Sequence, residues 1–144
     1  MRRYWVYALL WVLILGLQGC FESKPSDLAV EVMAKRYWQD NLKLNELFPL
    51  TDTQMLNAHK QGADTYVAQV RYRVKSAINE TDLVARLQQA DQEGIETHLD
   101  QPAVVSVLKA LPTGFRQNDT FELVKQLQFR NGSRGWLLEQ ELAL

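Results

Sequence analysis

The sequence predicts an α+β domain: an antiparallel sheet of about four strands with about three helices packed on one face. Three observations carry that expectation. Residues 66–78 alternate apolar and polar side chains, the period of a strand with one buried and one wet face. Three other segments place apolar residues three and four apart, the spacing of one helix face. Turn-forming residues at 61–64 and at 131–132 join strand-like segments in pairs, as hairpins require.

The first of these helices is expected from Asp27 to about Asp40. Ser26 stands at the N-cap position with Asp27 in the first turn, a helix-start signal. Val30, Met33, Ala34, Tyr37 and Trp38 form its apolar stripe, and Glu31, Lys35, Arg36 and Gln39 fill the other side. Asn41 to Leu50 reads as a helical turn interrupted by Pro49. Two readings fit Thr51 to Lys60. Thr51 and Gln54 have capping-box spacing, and the segment also suits the first arm of a hairpin turning at Gln61-Gly62-Ala63-Asp64. The expectation adopted is a strand near Met55–Lys60.

Tyr66 to Ile78 is the clearest strand. Tyr66, Ala68, Val70, Tyr72 and Val74 point one way, and Gln69, Arg71, Arg73 and Lys75 the other. A second helix opens at Thr81, carries Leu83, Val84, Leu87 and Ala90, and ends near Gly94. Asp100 is placed to cap a third, with Pro102 in its first turn and Pro112 ending it; Val104, Val105, Val107, Leu108 and Leu111 are its apolar positions. Phe121, Leu123, Leu127 and Phe129 share one face of the next strand, broken by Lys125. Asn131-Gly132 supplies the turn, and Trp136-Leu137-Leu138 begins the return.

The first nineteen residues differ from everything after them. Arg2 and Arg3 precede a run from Tyr4 to Leu17 that is almost wholly apolar. Positive charge ahead of an apolar core is the pattern of an export signal. Fourteen helical residues reach about 21 Å, short of a hydrocarbon core of about 30 Å. The expectation is therefore an N-terminal signal helix over 1–19, a tether over 20–25 and one folded domain over 26–144.

Leu17-Gln18-Gly19-Cys20 resembles the lipobox of bacterial lipoproteins: an aliphatic residue, a variable one, a small one, then cysteine. The resemblance implies that Cys20 receives a diacylglyceryl group as a thioether, that the chain is cut before it, and that fatty chains such as palmitate anchor the product. Gln18 departs from the family's usual Ala, Ser, Thr or Val. Retention in the inner membrane usually requires Asp after the cysteine. Phe21 stands there, which implies the periplasmic face of the outer membrane. Asp64-Thr-Tyr-Val-Ala-Gln-Val-Arg-Tyr72 and Gly132-Ser-Arg-Gly-Trp136 are similar to segments of small cystatin-like and NTF2-like envelope domains, most of which bind other molecules.

Charge argues against nucleic acid as a partner. The chain holds 16 Lys and Arg against 17 Asp and Glu. Without Arg2 and Arg3 the excess is acidic, not the basic footprint of a nucleic-acid binder. Cys20 is the single cysteine, so an intrachain disulfide is excluded. His59 and His98 have no second His or Cys at metal-ligand spacing, and His98 has Asp100 two residues on. No catalytic residue, cofactor or metal is expected. Arg71, Arg73 and Lys75 form a cationic stripe on the wet face of one strand, with Arg130 and Arg134 as further candidates. Such a stripe serves either as a solvated face that resists edge aggregation or as a surface for an anionic partner.

The function expected is a non-enzymatic, lipid-anchored domain that binds or helps assemble another envelope protein or lipid. The alternatives are a small-ligand carrier whose pocket is lined by Tyr37, Trp38 and Tyr72, and a cell-envelope hydrolase.

Overall fold

A computed structural model of the protein describes residues 24–94 and 101–143. The signal segment, Cys20, His98 and the capping role of Asp100 lie outside the described residues. The element order is α1 (Asp27–Arg36), β1 (Leu50–Lys60), β2 (Thr65–Lys75), α2 (Glu80–Glu93), α3 (Gln101–Ala110), β3 (Thr120–Gly132) and β4 (Gly135–Leu142). The strands form one antiparallel sheet in the order β1-β2-β3-β4. All three helices add side chains to the core on its inner face. The α+β class expected from the sequence is the class observed.

Helix α1 starts where its cap predicts, the Ser26 hydroxyl accepting from the Ala29 N–H at 3.1 Å. Val30, Ala34 and Trp38 fall four residues apart and are all buried. The α-helical pattern ends at Arg36 and widens into a π-type turn over Tyr37–Asn41, four residues sooner than the expected end near Asp40. Lys43 then adopts a positive φ of 52° and breaks the helix. The segment that follows is core: Leu44, Leu47 and Phe48 are buried.

Thr51–Lys60 is strand, and β1 begins at Leu50 instead of Met55. Two register shifts, between Leu50 and Asp52 and between Met55 and Asn57, explain why its period misleads. Met55 and Ala58 share the inner face, and a three-residue spacing imitates a helix.

Strand β2 keeps its expected faces, with Tyr66, Ala68, Val70, Tyr72 and Val74 all buried. It stops at Lys75, not Ile78. Ser76 is buried, its hydroxyl donating to the Ile78 carbonyl at 2.6 Å, and that bond turns the chain out of the sheet. Helix α2 opens at Glu80, one residue ahead of Thr81, and closes on Gly94 at φ 59°, a left-handed cap that suits glycine. In α3, Val104 and Val107 are buried but Val105 is exposed; successive helical residues lie about 100° apart, which takes Val105 off the stripe. The last hairpin turns at Ser133-Arg134, because Asn131 and Gly132 are still paired with Trp136 and Gly135.

Candidate functional site

The outer face of the sheet is built by alternation. Arg71, Arg73 and Lys75 project from β2 on the side away from the helices, and register places Arg71 beside Gln54 and Arg73 beside Glu122. Arg73 donates to Glu122 at 2.7 Å through Nη2 and at 3.2 Å through Nε. Arg71 donates to the Gln54 side chain and lies 3.9 Å from the other Glu122 oxygen. The hydrogen bond from Arg73 holds the Glu122 carboxyl below the usual carboxylate range. One carboxylate thus answers two of the three cations, and Lys75 remains exposed at the strand end.

Arg130 does not join this stripe. It pairs with Thr65, while Arg71 pairs with Val124, a separation of about 20 Å at 3.3 Å per residue. Arg130 instead donates to Glu139 at 2.9 Å, and Gln128 donates to the same carboxylate at 2.6 Å. Those two bonds lower the Glu139 carboxyl. Arg71, Arg73 and Arg130 are thus each beside a carboxylate on the outer face, and Arg134 stands at the far hairpin.

The aromatic candidates on the inner face behave as core. Trp38 and Tyr72 are each 1% exposed, with ring centres 4.9 Å apart. The Trp38 indole donates to the Phe48 carbonyl at 2.9 Å, and the Tyr72 hydroxyl donates to the Ala34 carbonyl at 2.9 Å. Burial, with help from Glu141 and Tyr37, pushes the Tyr72 phenol well above its ordinary value. Both polar tips are thus spent on the backbone.

Lys125 is the inner face's charged exception, and its partner is Glu141 on β4, 2.9 Å away. They stand in a cleft of about 290 Å³ walled by Trp38, Leu42, Pro102 and Val107. In the sequence Lys125 is an interruption of the apolar face and Glu141 one of two acids, Glu139 and Glu141, expected to be solvated; nothing local links a residue of β3 to one sixteen positions later.

A larger groove, of about 450 Å³, runs along the exposed side of α1 and ends on β4. Pro25, Leu28, Val32 and Trp136 line it. Leu28 is 70% exposed and Val32 41%. The Trp136 indole N–H is buried with no hydrogen-bond partner, a condition that costs about 1–3 kcal/mol. Leu28 and Val32 fall on neither the expected apolar stripe nor the expected polar side of the helix; their four-residue spacing is the signal that marks them.

His59 lies exposed on β1, in register with Val67. Among the described residues no group of His, Cys, Asp and Glu is placed to hold a metal ion, and no helix is long and apolar enough to cross a membrane. No protein-family model, curated protein or solved structure matches the chain.

Proposed function

We propose that this chain is a bacterial lipoprotein, joined through Cys20 to fatty chains in the periplasmic face of the outer membrane. Its α+β domain binds or helps assemble another envelope component without performing chemistry on it. The observation that carries this reading is the leader: Arg2-Arg3, the apolar run Tyr4–Leu17, then Leu17-Gln18-Gly19-Cys20. The start of the fold supports it, since α1 begins at Asp27 and leaves only a short tether after the cysteine. Two or three acyl chains anchor stably where one is marginal.

Intact-mass spectrometry of the protein from its own membranes tests the anchor. The expected species begins at Cys20 and carries the mass of a diacylglyceryl group. A free thiol with residues 1–19 still attached overturns the reading. Crosslinking in the same cells tests the binding half, which predicts a discrete envelope partner joined to the domain.

A small-ligand carrier is the second reading, favoured by the cleft around Lys125 and Glu141. An ion pair under apolar walls suits a small amphiphile with a polar end. Binding lost on Lys125→Met would support it.

A further inference from the structure

The groove along α1 is lined in part by Pro25, five residues after the proposed anchor. Leu28 and Val32 are four apart on one helix face and both are exposed, which is unusual for an apolar pair on a surface helix. Trp136, whose indole N–H lacks a partner, forms the opposite wall. The Trp136 ring packs 6.0 Å from that of Tyr66 and lines the groove beside the two aliphatic side chains, and indoles are enriched at the membrane interface.

Two further observations point to a lipid surface as the occupant. Pro25, which lines the groove, is five residues after Cys20. Extended chain spans at most about 3.5 Å per residue, so Pro25 stays within about 17 Å of an anchored cysteine. Lys24, Lys35 and Arg36 are exposed near the apolar pair, with Asp27, Glu31 and Asp52 as the acidic residues close by. Glu31 is engaged, accepting from the Met55 N–H at 3.1 Å. Basic residues beside an apolar stripe suit anionic headgroups.

We infer that the face of α1 carrying Leu28 and Val32, with Trp136, rests on the phospholipid bilayer and sets the domain's orientation there. This inference rests on the anchoring of Cys20. Tethering makes the contact intramolecular, at an effective concentration in the millimolar range, so a weak apolar patch suffices. The domain then presents its remaining faces outward.

The test uses the acylated protein in vesicles of phosphatidylethanolamine and phosphatidylglycerol, with or without brominated acyl chains. Removal of the leader takes Trp5 and Trp11 with it, leaving Trp38, 1% exposed in the core, and Trp136. Brominated chains are expected to cut the indole emission to roughly half, one emitter of two, through Trp136 at the interface. Trp136→Phe should abolish that quenching, and so should Leu28→Asp with Val32→Asp, two exposed positions whose replacement spares the core. Near-ultraviolet circular dichroism verifies the fold of each variant.

Intact mass on the same sample separates the two readings. Acyl mass present without quenching overturns the membrane contact and leaves the anchor standing; a concentration-dependent dimer in that case assigns the groove to a second copy. Acyl mass absent removes the tether and the membrane contact together.

Discussion

Replacing Glu141 by Leu removes the counter-ion of Lys125, which is the one ammonium on the apolar side of β3. The pair is 2.9 Å apart with side chains 15% and 29% exposed. With about 4 Å between charge centres and an effective dielectric near 20, their attraction is about 4 kcal/mol. Taking both ions from water costs several kcal/mol. The two nearly cancel, so the intact pair is worth little against apolar groups of the same shape, whereas a single orphaned ion is expensive.

Breaking a fully buried pair costs about 3–5 kcal/mol. The cleft beside Lys125 lets its amine reach towards water, which brings Glu141→Leu nearer to about 2–3 kcal/mol. Glu141 is the more exposed partner, so Lys125→Met is expected to cost about 1–2 kcal/mol. The double variant Lys125→Met/Glu141→Leu should lie within about 1 kcal/mol of the parent. Urea unfolding of the four proteins measures the coupling, expected to be about 4 kcal/mol. Single costs that simply add in the double variant would refute the reasoning.

Two other outcomes follow from the same core and face. Trp38→Ala, which empties a fully buried site and orphans the Phe48 carbonyl, should cost about 4 kcal/mol, a large part of a typical domain's 5–15 kcal/mol; a shift in urea midpoint well under 1 kcal/mol equivalent would deny Trp38 its place. On the outer face, Glu122 and Glu139 have folded pKa values below the ordinary 4.5, through Arg73 and Arg130 respectively. Their stabilisation is therefore present above the unfolded value and is lost as pH falls through the lower folded values. Melting temperature followed against pH should show a shallower acid decline in Glu122→Gln/Glu139→Gln than in the parent.

How legible each element was depended on how regular its strand or helix is. Strand β2 pairs with β3 without a register shift, so its period-two pattern ran true and its faces were read correctly. Strand β1 carries two shifts, and a bulge resets the alternation that sequence reading depends on. The stretch from Leu44 to Phe48 resisted for another reason: its core residues sit in irregular backbone, where no period exists to find. The cationic stripe was legible as residues on one face. Its neutralisation was not, because Glu122 meets Arg73 only across a strand pair separated by two helices. Trp136 posed a third difficulty. It was visible as a marker of the last strand, but its groove exists only once α1 lies across from it.

The linear strand order has a consequence for how the chain assembles. β1 with β2, and β3 with β4, join across short turns, while the seam between β2 and β3 spans the 44 residues from Ser76 to Asp119. Closing that long loop is entropically unfavourable until its many contacts form together. The two hairpins can therefore zip early, and the seam, eleven uninterrupted pairs long, must form as a unit. Protection of its amides against hydrogen exchange should arise last, after that of the two hairpins.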